Sequence, residues 1–238
     1  MSKAGLEEGR CRVGARYGGG YVIERLFARG GMAELYVANH EITRRQVAFK
    51  VLNRRYAQEP NIVRRAEQEA RALAEIDHPN VVKILDAGTD PEVGLFIAME
   101  LLDGKSVREV LARVERLPLP QALTIAIEIA EATHGLHQLG IFHRDIKPDN
   151  VFVCRPADGR FCLKLLDLGA AKVPKYGLPT TTVGQTIGTA RYMSPEHIQR
   201  GEITAASDQY ALAHMLYEML TGWHPFSSDI AQPSYVEL

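Results

Sequence analysis

Cysteine is scarce in this chain: three residues in 238, Cys11, Cys154 and Cys162, an odd number in no metal-like spacing. That excludes a disulfide scaffold and a zinc cluster, and it fits reduced thiols in a cytoplasmic compartment. An excess of charge of one sign is missing as well. Twenty-eight Lys and Arg stand against 29 Asp and Glu, a net charge of −1. Such a balance argues against nucleic acid or an anionic membrane as partner. No apolar run approaches the ~20 residues of a membrane helix. The start, MSKAGLEEGRCRVG, lacks the apolar stretch of a signal peptide. What is present is an ordinary soluble composition, 46% hydrophobic, in a chain long enough for one large domain or two packed lobes.

Residues 1–15 are small and charged and read as a flexible lead. The runs YVIERLF, AELYVAN, QVAFKVL, VVKILDAG and LFIAMEL then alternate apolar and polar positions. They predict a five-stranded antiparallel sheet with one helix inserted at about residues 60–76. After LLDGK the character turns helical. Residues 121–139 are apolar around most of the circumference, as in a helix buried on several sides. NVFV and FCLKLLD flank RPADGR, a hairpin with an Asp-Gly turn. Residues 207–221 predict a second apolar helix, with Ser207 or Asp208 at its N-terminus. The class is α+β, a small β-rich half followed by a larger helical one.

Three stretches carry chemistry. FARGGMAELYVA, residues 27–38, matches a phosphate-cradling G-x-G-x-x-G only at Gly30, with Ala28 and Ala33 at the other glycine positions. By itself it reads equally as an ordinary β-turn. In the inserted helix Ile62, Ala66, Leu73 and Ile76 form an apolar stripe with Glu69 in its middle, whereas Glu67 lies off it. A carboxylate on such a stripe needs a cation. Lys50, at the end of QVAFK, is the natural partner, in a functional pair or a structural one. HRDIKPDN, residues 143–150, sits between a buried helix and a hairpin. It offers the carboxylate of Asp145, the cation of Lys147 and the amide of Asn150, and Pro148 biases Lys147 toward an extended backbone. Antiparallel pairing brings Asn150 and Asp167 side by side as two oxygen ligands, a set that suits Mg²⁺.

These motifs, VAFK, Glu69, HRDIKPDN, DLG and SPE in that order, resemble the eukaryotic-like serine/threonine protein kinases, most closely their bacterial members. The resemblance runs from about Arg16 to Phe226. It implies a bilobal kinase fold, with an N-lobe at about 16–101, a hinge at about 100–104 and a C-lobe at about 104–238. It implies ATP and Mg²⁺ as cofactors, with Mn²⁺ as an alternative, and a protein substrate bearing Ser or Thr. Lys50, positioned by Glu69, would hold the α- and β-phosphates. Asp145 would orient the attacking hydroxyl, Lys147 would neutralise the γ-phosphoryl, and Asn150 with Asp167 would hold the metal. Phe27, Ala28, Arg29, Gly30, Gly31, Met32, Ala33, Glu34, Leu35, Ala48, Lys50, Met99, Glu100, Leu102 and Phe152 would line the nucleotide site. Ala28 replaces a glycine usual in the family, so a shifted loop or weakened nucleotide affinity is expected there. DLG replaces the usual DFG and leaves Asp167 in place.

The segment from Asp167 to Glu196 resembles an activation loop, with Thr180, Thr181 and Thr182 as expected phosphosites and Arg144 as the cation that would pair with one of them. Thr189 is expected to be structural, near Asp145. Asp208 resembles the aspartate that braces the catalytic loop through its backbone. His134 and His137, three apart on a helix, read as a packed or surface pair rather than as metal ligands. After TGWHPF the family continues with further helices, so the C-lobe here is expected to lack its last helices. Glu196 is then expected to lack its arginine partner, and a missing segment or a second protein to cover the helix after Asp208. Three functions fit: a protein kinase, a weak or inactive kinase-fold binding module, and a small-molecule kinase. The intact catalytic set favours the first over the second, and the long segment ending in SPE favours it over the third.

Overall fold

The computed structural model describes residues 9–30, 33–53, 63–64, 67, 70, 74–154, 162–167, 191–199 and 201–226. Among these, residues up to 103 form one compact unit, and 104–167 with 191–226 form a second.

The first unit is an antiparallel sheet in the order β1-β2-β3-β4-β6-β5. Its strands are β1 (Arg16–Tyr17), β2 (Tyr21–Arg29), β3 (Ala33–His40), β4 (Gln46–Leu52), β5 (Ile84–Asp90) and β6 (Gly94–Glu100). The five expected strands are present, and β1 is a two-residue addition folded back on β2 through Arg16 and Val22. Val63, Arg64, Glu67, Ala70 and Ala74, inside the expected inserted helix, are helical. Glu67 lies half-buried and accepts a 2.9 Å hydrogen bond from the Thr89 hydroxyl.

Strand alternation sorts the two faces of the sheet. Tyr36, Val47, Phe49, Val51, Phe96 and Ala98 share one aromatic-rich core, where the Phe49 and Phe96 rings stack with centroids 4.9 Å apart. Leu35, Val37, Ala48, Lys50, Ile97 and Met99 are register partners on the opposite face. Residues 9–15, expected as part of a flexible lead, are packed against the first face. Cys11 is buried, and its backbone N–H donates to the Tyr36 hydroxyl at 3.0 Å. A phenol in an apolar core needs such a partner, which the alternation pattern alone does not supply.

The second unit contains β7 (Gly104–Ser106), α1 (Val107–Val114), α2 (Leu119–Gln138), β8 (Val151–Cys154), β9 (Cys162–Leu165), α3 (Pro195–Ile198) and α4 (Ala205–Thr221). Strand β7, which the sequence pattern does not show, pairs with β8 in a sheet ordered β7-β8-β9. Its first residue must be glycine, since a Cβ at Gly104 would lie 2.1 Å from the Val153 carbonyl oxygen. A capping box between Ser106 and Glu109 opens α1. Helix α4 begins earlier than the sequence suggests. Its cap is Thr204, in a capping box with Ser207, so Ser207 and Asp208 lie inside the first turns and are buried. Helices α2 and α4 pack on each other. Apolar side chains remain exposed at Leu119, Leu123 and Ile127 of α2 and at Trp223 beyond α4. Among the described residues no helix is long and apolar enough to cross a membrane.

The ring of His214 in α4 lies with those of His224 and Phe226 beyond the helix, and His224 is edge-on to Tyr192 at 4.9 Å. Burial pushes the His224 pKa down to about 4, against a smaller upward pull from Glu218 and further depression by His214 and Arg191. A depressed imidazole is neutral in the fold, so its stabilising contribution is complete above about pH 6.5 and is lost as pH falls toward 4. Between pH 7 and pH 5 the chain is expected to lose roughly 1–2 kcal/mol from this group. Urea melts at the two pH values check this, and His224→Phe should abolish that part of the difference.

Candidate functional site

In the first unit the expected nucleotide-site residues fall on β2, β3, β4 and the end of β6. Phe27, Ala28 and Arg29 close β2, and Ala33, Glu34 and Leu35 open β3. Between them the Gly30 N–H donates to the Ala33 carbonyl at 2.8 Å. Ala28 is a strand residue opposite Leu35, just past a register shift after Leu26, and has no positive φ. The steric cost expected from its Cβ is therefore absent, because the strand extends through this position instead of turning at it. The Glu34 carboxylate accepts from the Arg10 N–H at 2.7 Å and from the Tyr36 hydroxyl, and Arg29 lies 3.5 Å from it. Lys50 stands opposite Leu35 on one side and Ile97 on the other, and Ala48 stands opposite Met99. One face of one sheet thus presents an apolar bed beside an ammonium group. Glu100 joins the end of β6 to Lys83, its N–H donating to the Lys83 carbonyl at 3.0 Å. Leu102 follows, half-buried. Glu69, Gly31, Met32, Thr180, Thr181, Thr182 and Thr189 lie outside the described residues.

The second unit assembles the loop after α2. Asp208, 2% exposed, receives its backbone: the His143 N–H donates to Oδ2 and the Arg144 N–H to Oδ1, each at 2.8 Å. This is the brace expected of Asp208. His143 is fully buried and is locked at both nitrogens. Its Nδ1 accepts from the Asp145 N–H at 3.2 Å, so Nε2 carries the proton and donates to the Leu166 carbonyl at 2.9 Å. The fully buried Ile146 anchors the next step, and Lys147 is extended, as a residue before proline should be. Pro148 does not exclude helical geometry altogether: it opens a single 3₁₀ turn, Pro148–Asn150.

That turn delivers the working groups. Lys147 Nζ lies 3.1 Å from Asp145 Oδ2. The Asn150 amide donates to the Asp145 carbonyl at 2.8 Å and to Oδ2 at 3.0 Å. With both N–H donors directed at Asp145, the Asn150 carboxamide oxygen is the atom left to meet a cation. The Leu166 N–H donates to the Asn150 carbonyl at 2.8 Å, so the register places Leu166 opposite Asn150 and Asp167 one residue beyond it. Two oxygen donors of this kind fit a hard divalent cation. Phe152, half-buried in β8, pairs with Ser106 of β7 and Lys164 of β9. Backbone strain collects in the same place. Arg144 and Asp167 have φ of 65° and 53°, two of only four positive-φ non-glycine residues described. Such geometry costs about 1–3 kcal/mol per residue and persists only where the surrounding structure holds it.

A cleft beside the loop is lined by Arg144, Asp145, Tyr192, Met193, His197 and Ser207. Arg144 Nε is buried there without a hydrogen-bond partner among the described residues. Glu196 is not left alone. Ser194 and Ser207 hold its carboxyl below the usual range, with the Ser207 hydroxyl donating to Oε1.

Two contacts had no signal in the sequence reading. His137 Nε2 sits 2.8 Å from Asp208 Oδ2, so this histidine steadies the brace and belongs to no metal pair with the exposed His134. The Arg108 guanidinium on α1 reaches Glu218 Oε1 at 2.6 Å, the Tyr192 hydroxyl at 2.7 Å and Asp149 Oδ2 at 3.4 Å. Glu218 lies with Asp208, Ala211, Met215 and Met219 on the buried face of α4. A carboxylate on an apolar stripe was the signal that singled out Glu69, and it also picks out Glu218. Its partner, 110 residues earlier in the chain, has no local signature.

Comparison with known proteins completes the description. The sequence profile of the protein kinase domain family matches residues 21–237. The chain is similar to the serine/threonine-protein kinase PrkC of Bacillus subtilis, 37% identical over 222 residues, covering 92% of this chain and 33% of that protein. It is similar to PknH of Mycobacterium tuberculosis, 36% identical over 220 residues, covering 92% of this chain and 34% of the relative. The chain therefore spans about a third of the length of these curated relatives. Among solved structures, the M. tuberculosis PknI kinase domain superposes with a TM-score of 0.74 at 26% identity, covering 94% of this chain and 82% of that one.

Proposed function

Because the chain belongs to the protein kinase domain family, we propose that it transfers the γ-phosphoryl group of ATP to Ser or Thr hydroxyls of protein substrates. The observation that carries this reading is the Asp145 carboxylate, held between Lys147 and Asn150 on a loop braced by Asp208. When bound, Mg·ATP supplies the transferable phosphoryl group and the cationic charge that neutralises its oxygens. Asp145 orients the acceptor hydroxyl and takes up its proton as the oxygen–phosphorus bond forms and the bridging oxygen to the β-phosphorus departs. Lys147 would neutralise charge on the transferred group, and Asn150 and Asp167 would hold the metal. Lys50 would steady the α- and β-phosphates, as the family resemblance implies. The chain thus contributes positioning and fixed charge, which this reaction needs more than covalent help.

The buried Arg144 Nε supports a regulatory part of the same reading. A phosphothreonine at 180, 181 or 182 would give that guanidinium a charge-assisted partner. Thiols at all three cysteines suit a reducing, cytoplasmic location. Incubation of the chain with Mg·ATP, followed by phosphosite mapping, tests the proposal. Phosphate on Thr180–Thr182 in the wild type, and none in Asp145→Asn, is the expected outcome. Equal incorporation in both would exclude Asp145 from the reaction.

A further inference from the structure

Cys154 and Cys162, which the sequence presents as unrelated thiols, are directly opposite each other at the end of the β8–β9 hairpin. The register of that hairpin also fixes which kind of pair they form. The Leu166 N–H bonds to the Asn150 carbonyl, so those two residues form a hydrogen-bonded pair. Pair type alternates along an antiparallel ladder. Stepping by two through Phe152–Lys164, the cysteines are again a hydrogen-bonded pair. Cα atoms in such pairs are about 5.5 Å apart with both side chains on one face, within the roughly 4.4–6.8 Å that a disulfide spans.

We propose that Cys154 and Cys162 are a reversible oxidation site, closing a cross-strand disulfide when the protein meets a peroxide. Cys162 is the half-buried sulfur and Cys154 the buried one, so Cys162 is the group a small peroxide reaches. Its thiolate takes the terminal oxygen as the O–O bond breaks, giving a sulfenic acid and, for hydrogen peroxide, water. The Cys154 sulfur then attacks the Cys162 sulfur, the S–O bond breaks, and a second water leaves with the thiol proton. One peroxide is reduced to two waters and two thiols are oxidised to one disulfide.

A bridge at a hydrogen-bonded position is strained relative to free disulfide geometry, and strained bridges are readily reduced. The clip is therefore transient in a reducing compartment. It fastens the far end of the hairpin whose near end presents Asn150 and Asp167, and so acts on the element that carries the proposed metal ligands. Cys11 takes no part, because burial pushes its thiol up to about 12, against a smaller lowering by Tyr36.

The site is tested on the whole reduced chain with hydrogen peroxide and peptide mass mapping, a readout that does not depend on phosphoryl transfer. The expected result is loss of two hydrogens, a crosslink joining the peptides of Cys154 and Cys162, and reversal by a dithiol. Cys11→Ser should behave as wild type. Cys162→Ser should give no crosslink, and Cys154→Ser should stop at an oxidised Cys162 trappable by a sulfenic-acid reagent. Oxygen addition to each cysteine without a crosslink, or a crosslink that uses Cys11, would overturn the proposal. Inactivity of the chain with ATP would instead bear on the kinase reading and leave this result readable.

Discussion

Asp208→Ala is expected to destabilise the second unit by about 3–6 kcal/mol, since three donors lose their acceptor and each buried unsatisfied group costs about 1–3 kcal/mol. The donors are the His143 and Arg144 backbone N–H groups and the His137 ring, all at 2.8 Å. In a chain of this size the loss corresponds to a melting shift of roughly 10–20 °C. Asp208→Asn keeps one carbonyl acceptor but turns an NH₂ group toward a donor, so an intermediate loss is expected. Both variants should also slow phosphoryl transfer by about a hundredfold, because the loop that holds Asp145 would shift by a fraction of an ångström or more. Thermal melts and initial rates on the same preparations check the two effects together. An Asp208→Ala chain that melts within a few degrees of the wild type would show that the loop is held elsewhere.

The second large effect is expected at Arg108. Its guanidinium satisfies both oxygens of Glu218, which is 8% exposed, and also bonds Tyr192. Removing one partner of a buried ion pair costs about 3–5 kcal/mol. The Arg108 side chain is 38% exposed, and water can partly replace it, so Arg108→Met is expected to cost about 2–3 kcal/mol. Arg108→Lys keeps the charge but not the two-pronged fit, and should lose about half as much. Pairing Arg108→Met with Glu218→Met removes the stranded carboxylate, and most of the stability should return. Urea melts of the four chains form a cycle that measures the coupling directly. Additive losses in the double variant would mean that the pair contributes packing but no charge interaction.

The two stretches with the strongest sequence signals were legible for different reasons. Period-two alternation placed the five main strands, because each has one buried face and a register slip would expose it. The HRDIKPDN loop was legible because its residue types are chemically specific, and the hairpin after it brings Asn150 opposite Leu166, one residue short of Asp167. Residues whose structure depends on distant partners were not legible. Strand β7 is three residues long and exists because β8 pairs with it. Cys11 and Arg10 are ordered by Tyr36 and Glu34, two strands away. The Thr204 cap was passed over because Ser207 and Asp208 are also good caps, and the burial of Asp208 under the loop decided between them. Ala28 looked like a defect in a glycine pattern, but the backbone there stays in strand β2 and needs no positive φ. Arg108 has no periodic or motif signal at all. Its role comes from four elements meeting at one guanidinium.

The carboxylate of Asp145, held by Lys147 and Asn150, serves the proposed transfer of a phosphoryl group. Single-turnover transfer from Mg·ATP to a Ser/Thr protein acceptor, measured beside nucleotide binding for the wild type and Asp145→Asn, tests it most directly. Asp145→Asn is expected to lower the transfer rate by about 10²–10⁴-fold, the range set by loss of one proton-accepting group. Nucleotide affinity should stay close to that of the wild type. Equal transfer rates in the two chains, with both folded and both binding nucleotide, would contradict it.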